Sequence, residues 1–233
     1  MAIFAIGDLH LSMDPRIEKP MDVFGPSWAN HSERLAENWQ SAVTDDDLVI
    51  ICGDISWGLK LDEAMEDLRF VAQLHGTKVL TKGNHDLWWS SISKLNTIDE
   101  RLVFLQNTAF LWKDVAICGT RGWICPGTDG FDSHDQKIYD RELIRLGMSI
   151  EDAKRTGAKT IIASLHYPPS NDKHQESGFT EMLAGAGVKT CVYGHLHGRD
   201  AFDNGYKGIW NGVEYKLVSL DYVKAMPVKI WEE

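Results

Sequence analysis

The sequence predicts a layered α/β fold, a sheet-centred sandwich with helices covering its faces, and three observations carry that prediction. Short continuous apolar runs recur along the chain, among them AIFAI, LVIIC and TIIASL, as expected of strands buried on both faces. Amphipathic helical patterns separate these runs. Near the C-terminus the pattern turns to hairpin-like alternation, which requires antiparallel pairing and so favours a layered sandwich over a purely doubly wound sheet.

In chain order, residues 2–6 (AIFAI) read as the first buried strand. Residues 31–43 carry helical spacing, with Leu35, Trp39 and Val43 on one face. LVIIC (48–52) is the second strand. Residues 61–74 form a second amphipathic helix lined by Leu61, Met65, Leu68 and Ala72. KVLT (78–81) is the third strand. A short helix near WWSSISKL and two strand-like runs, LVFL and VAICG, come next. A polar, Gly-rich segment spans 119–134. HDQKIYDRELIRL (134–146) reads as one helix and MSIEDAKRTGA as another, with Ser149 as N-cap and Gly157 as the stop. TIIASL (160–165) is a strand, 176–187 a helix and VKTCVY (188–193) a strand. IWNGVEYKLVSL and VKIW complete the chain as a hairpin and edge strands.

The 233 residues suit one domain spanning 1–233. No apolar stretch is long enough to cross a membrane, and Asp8 comes too early for a signal peptide, so the expected address is cytoplasmic, with no membrane partner. The net charge of -10 argues against nucleic-acid polymers, whose binding needs Lys and Arg to neutralise phosphates. It leaves small phosphorylated substrates open, because a bound metal supplies local positive charge. The four cysteines show no CxxC pair and read as buried thiols.

The chemistry lies just beyond the strands. After AIFAI comes GDLH, with Asp8 and His10. After LVIIC comes GD, with Asp54. After KVLTK comes GNHD, with Asn84, His85 and Asp86. TIIASL is followed by His166, and CVYG by HLH, with His195 and His197. Each motif alone is weak. Together they deliver carboxylates, imidazoles and an amide from the carboxyl ends of successive strands, the edge where α/β sheets build sites. Clustering such groups is costly unless they are paired or metal-bound. Mixed nitrogen and oxygen donors suit Mn, Fe, Zn or Co, and there are more of them than one tetrahedral site needs. His31, His75 and His134 lie in helical contexts and are expected at the surface or as caps; His174 sits in a polar loop. Glycines 7, 53, 83 and 194 are expected to turn the chain beside the ligands.

The ordered set D-x-H, GD, GNHD, H and GHxH, running from Asp8 to His197, resembles the calcineurin-like metallophosphoesterase superfamily. The resemblance implies a four-layer arrangement, a β-sandwich flanked by helices. It implies two divalent metal ions, one held by Asp8, His10, Asp54 and His197, the other by Asp54, Asn84, His166 and His195, with Asp54 bridging. It further implies phosphoester hydrolysis by a metal-bridging hydroxide, since coordination lowers the pKa of water to about 7. His85 would then face the leaving group, with Asp86 orienting His85 or capping the WWSSISKL helix.

The substrate, a small phosphorylated compound or a phosphoprotein, is set by loops. Segments 11–30 and 119–148 are the candidates for covering the site. Trp28, Trp123 and Phe131 are available to stack on a ring or to pack the loops against the body. Arg121, Arg141 and Arg199 are available to hold a phosphate away from the metals. Two other readings remain at this point: a nuclease of the same fold, disfavoured by the acidic charge, and a catalytically decayed protein-binding scaffold, disfavoured by the full set of ligands.

Overall fold

The computed structural model describes residues 1–233. Two mixed sheets lie face to face. The first has the order β11-β1-β2-β3-β4, built from β1 (Ala2–Ile6), β2 (Leu48–Cys52), β3 (Thr77–Thr81), β4 (Leu102–Leu105) and β11 (Val228–Glu232). The second has the order β5-β6-β7-β8-β10-β9, from β5 (Phe110–Trp112), β6 (Val115–Thr120), β7 (Thr160–Leu165), β8 (Thr190–Tyr193), β9 (Gly208–Trp210) and β10 (Val213–Leu217). Strands β1 to β4 are parallel, as are β6, β7, β8 and β10. The antiparallel strands β5, β9 and β11 sit at edges.

The continuous apolar strands are explained by this layering, because each has two faces to bury. Ile3, Ala5, Leu48, Ile50, Ile117, Ile162 and Val192 fill the space between the sheets. The alternate residues Phe4, Ile6, Val49 and Ile51 face α1 (His31–Ala42) and α2 (Leu61–Gln73). On the far side, Ala116, Cys118, Ala163 and Leu165 pack against α4 (Ser133–Arg155) and α5 (Gly178–Gly185). The result is four layers, helix–sheet–sheet–helix. Two one-turn helices, α3 (Ile92–Leu95) and α6 (Arg199–Phe202), complete the set. All four cysteines are free and buried. No helix is long and apolar enough to cross a membrane.

Several local readings change. Residues 133–155 form one helix, not two. Ser149 lies inside it, fully buried. Its hydroxyl donates to Thr108 O (2.6 Å) and accepts from Gly119 N (2.8 Å), so the side chain ties α4 to the second sheet instead of capping a new helix. The buried face of α2 centres on Ala64, Leu68 and Val71, with Leu61 and Met65 at its margin. Strand β5, the apolar triplet FLW, is not anticipated; it is short, with an exposed centre between two half-buried ends. The C-terminal hairpin turns through Asn211 and Gly212, both at positive φ (49° and 81°), the conformation that two-residue hairpin turns favour. Lys78 is wholly buried, and its ammonium group caps the end of α2 by donating to Ala72 O, Leu74 O and Gly76 O.

Candidate metal centre

Parallel strands of both sheets bring their carboxyl ends to one edge. Asp8 and His10 follow β1, Asp54 follows β2, and Asn84, His85 and Asp86 follow β3; His166 follows β7, and His195 and His197 follow β8. The loops are knitted together by Asp8 N to Gly53 O (2.9 Å), His10 N to Asp54 O (3.0 Å) and Gly194 N to His166 O (3.1 Å). Asp8, His10, Asp54 and His195 all have left-handed backbones, with φ of 58°, 45°, 50° and 73°. Such conformations cost non-glycine residues roughly 1 kcal/mol or more each and gather at functional sites. Of the expected glycine turns, Gly53 (φ 83°) is one. Gly83 and Gly194 serve a different need: a Cβ there would lie 2.1 Å from Asp54 Oδ1 and 2.3 Å from Asp8 Oδ2 respectively.

The side chains converge as two adjoining groups. Asp8, His10 and His197 form one; Asp54, His166 and His195 form the other. In the first, His10 Nε2 lies 3.3 Å from His197 Nε2, and His197 Nε2 lies 3.6 Å from Asp8 Oδ1. In the second, Asn84 Oδ1 lies 2.7 Å from His166 Nε2 and 3.0 Å from His195 Nδ1, and the two imidazole nitrogens are 3.3 Å apart. Asp54 Oδ2 reaches both groups, 3.3 Å from His166 Nε2 and 3.9 Å from His10 Nε2.

This donor set fits divalent cations. Lone-pair-bearing atoms of mixed nitrogen and oxygen type point at common centres in a buried site, the chemistry that borderline divalent metals take. Two of the four imidazoles have their outward nitrogen committed elsewhere, whereas His10 Nδ1 is buried without a partner. His166 Nδ1 lies 2.9 Å from Cys52 O, and donating to it leaves the Nε2 lone pair directed inward. His197 Nδ1 is held in the same way by Asp221 Oδ1 at 3.0 Å, and Asp221 Oδ2 accepts from Gly198 N.

The buried carboxylates and imidazoles of the cluster shift one another strongly. Burial pushes His10 down to about 4, against the opposing pull of Asp54 and Asp8. Burial, reinforced by the charge on His166, pushes His195 down to about 3. For His166 burial acts in the same direction, but Asp54 and Asp8 outweigh it and hold the imidazole at about 9. Burial also opposes the charge on His197, yet Asp221 and Asp8 raise it to about 10. Burial resists ionisation of Asp54 as well, and the charges on His166 and His10 still hold it below the usual carboxylate range.

His85 is exposed. Its N–H donates to Asp54 Oδ1 (2.8 Å), and its ring lies 4.3 Å from that of Trp57 and 5.8 Å from that of His10. Asp86 does neither of the things expected of it. Its side chain makes no hydrogen bond to His85 and caps no helix. Wholly buried, its carboxylate accepts from Gly83 N (2.7 Å), Ile55 N (2.8 Å), Asp54 N (2.9 Å), Trp88 Nε1 (3.0 Å) and Ser56 N (3.3 Å). It is the hub joining the Asp54 loop to the GNHD loop.

Beside His85 opens a cavity of about 400 Å³ lined by His10, Met21, Phe24, Trp28, Trp57, His197 and Asp221. Segment 11–30 therefore reaches the site. Trp28 is a buried wall, its ring 5.7 Å from that of His10 and 5.3 Å from that of His197. His31, expected at the surface, is buried behind it, ring to ring at 5.5 Å. Segment 119–148 does not line this cavity. Trp123 is half-buried, bonded through Nε1 to Asp135 and packed on Tyr167, and Phe131 packs on Tyr139. Arg121 and Arg141 line a different cavity, and Arg199 stands exposed on α6, outside both. His75, His134 and His174 take no part in the cluster. Two residues of the site escape sequence reasoning. Trp57, stacked on His10 at 4.7 Å, was signalled only by its place three residues past Asp54. Asp221, far beyond the last motif, had no signal.

A family model described as calcineurin-like phosphoesterase matches residues 1–199. Among solved structures, a protein of unknown function from Aquifex aeolicus aligns with a TM-score of 0.52 at 14% identity, over 98% of this chain and 95% of that one. A Thermus thermophilus protein aligns with a TM-score of 0.55 at 10% identity, over 84% of this chain and 82% of that one. Identities this low speak for the fold alone. A search of curated proteins gave no match.

Proposed function

Because the chain belongs to the calcineurin-like phosphoesterase family, a family of metal-dependent phosphoesterases, we propose that it hydrolyses a phosphate mono- or diester of a small molecule at a two-cation centre. The observation that carries this reading is the pair of ligand groups joined by Asp54, which reaches both. When bound, a cation pair supplies a water of lowered pKa and positive charge for the phosphoryl oxygens.

The protein's own residues do the rest. Asp54, centred between the groups, fixes the spacing of the two sites, with Asp8, His10 and His197 on one side and Asn84, His166 and His195 on the other. The His166–Cys52 O and His197–Asp221 contacts set the tautomers that direct Nε2 inward. His85 stands beside the centre without joining it, placed to give a proton to the departing oxygen as a general acid, a role typically worth 10²–10⁴ in rate. Trp57 holds its ring. The cavity next to His85 is walled by Trp57, Trp28, Phe24 and Met21, which suits a leaving group with an apolar or aromatic body. Segment 11–30 acts as its cover.

The test compares manganese-loaded with chelator-stripped protein on phenyl phosphate and on the matching diester. Metal-dependent turnover is expected, and the ratio of the two rates assigns the ester class. Two bound metals with no turnover of either ester would overturn the reading.

A further inference from the structure

A cluster of four basic side chains in this acidic chain lies outside the metal centre and touches none of its ligands. A cavity of about 450 Å³ opens between the carboxyl ends of β3 and β6 and the N-terminal half of α4. Lys82, Arg121, Arg141 and Arg145 line it, and Glu142 is its only carboxylate. The Glu142 side chain is 1% exposed and already committed. It accepts from Thr120 Oγ1 (2.6 Å) and Arg145 Nη1 (2.7 Å), with Arg121 Nη2 at 3.5 Å and Arg141 Nε at 3.7 Å. Three guanidinium groups thus share one carboxylate. Lys82 adds a fourth cation to the lining, and the charges that act on it are those of Arg121, Asp86, Arg145 and Glu142. Arg121 Nε is buried and bonded to nothing.

We propose that this cavity binds a phosphate-type dianion. Surplus cations in a half-buried pocket are unfavourable unless an anion joins them. Guanidinium forks and an ammonium group match the oxygens of a tetrahedral phosphate, and the amides of Gln106 and Asn107 line the same cavity. No ligand of the metal centre does. The two places are nonetheless close in the chain: Lys82 lies two residues before Asn84, and Arg121 O accepts from His166 N (3.0 Å) and Tyr167 N (2.9 Å). The phosphate is therefore either a second one on the molecule hydrolysed or a separate ligand. Binding itself does not depend on the proposed hydrolysis.

The test is calorimetric titration of inorganic phosphate into the manganese-loaded full chain, its Asp54→Asn variant, and the variants Lys82→Gln, Arg145→Gln and Arg141→Gln. Arg145 and Arg141 are partly exposed, so at least those two variants are expected to fold, with thermal melting as the check. The proposal expects a phosphate-binding event that survives Asp54→Asn and weakens at least tenfold in the cavity variants. Binding unchanged in the folded cavity variants, or lost only with Asp54→Asn, overturns it. Turnover separates the sources. If the second phosphate belongs to the substrate, Arg145→Gln raises KM for phenylene bisphosphate about tenfold and leaves KM for phenyl phosphate unchanged. If it is a separate ligand, the two KM values move together.

Discussion

Asp86→Ala should destabilise the protein more than it perturbs any single catalytic step. The carboxylate is fully buried and accepts four hydrogen bonds of 2.7–3.0 Å and a fifth of 3.3 Å. Removing it strands backbone N–H groups of Gly83, Asp54 and Ile55 and the Trp88 indole N–H in the interior. At roughly 1 kcal/mol for each of the four shorter bonds, the loss is about 4 kcal/mol, a large part of the 5–15 kcal/mol that about sums up a domain's stability. Asp86→Asn keeps one acceptor oxygen but points an amide N–H at donors, so about half that loss or more is expected. With a urea slope of about 2.5 kcal/mol per molar, Asp86→Ala should lower the unfolding midpoint by about 1.5 M. The measurement is urea denaturation followed by tryptophan fluorescence, with chelator present throughout so that metal affinity does not enter. A midpoint unchanged from wild type, together with a fallen kcat, would refute the hub argument and return Asp86 to a partnership with His85.

Other outcomes follow from the same geometry. Asp221→Ala frees the His197 ring and should weaken metal binding about 10–100-fold, read by metal titration; unchanged affinity would mean the His197–Asp221 contact is idle. Gly194→Ala places a methyl group 2.3 Å from Asp8 Oδ2 and should lower bound metal in the purified protein, as seen by elemental analysis, whereas Gly185→Ala, with open space around it, should not. Asp67 is buried beside Ser56 and Met13 N, and burial raises it from 3.8 to about 6. The folded state then holds this proton where the unfolded state has released it, so its contribution to stability falls as pH rises from about 4 to 6 and is flat above. The whole effect is at most about 3 kcal/mol. Asp67→Asn should remove that slope from chemical denaturation measured across the window, and a slope that persists in the variant would assign it to other groups.

Much of the fold was legible because its strands are buried on both faces and so appear as unbroken apolar runs. AIFAI, LVIIC and TIIASL read correctly for that reason. Strand β5 did not, because its apolar triplet FLW is too short, and too exposed at its centre, to stand out as a buried strand. The division of α4 failed because Ser149 looks like an N-cap, while it spends its hydroxyl on Thr108 and Gly119. The gathering of Asp8, His10, Asp54, Asn84, His166, His195 and His197 was legible because parallel strands must end on a common edge. What orients those side chains was not. Asp221 comes from the loop after β10, remote from every motif, and four of the five donors to Asp86 are backbone N–H groups that a sequence does not reveal.

Each ligand group draws on both sheets. Asp8 and His10 belong to the first sheet and His197 to the second; Asp54 belongs to the first and His166 and His195 to the second. Neither group exists until the sheets have docked, so a cation has nothing complete to bind on a half-assembled chain. Metal should therefore leave the refolding rate almost untouched and slow unfolding, as interactions absent from the folding transition state do. A cation bound there would be a rivet set last, acting on the lifetime of the native state more than on its rate of formation.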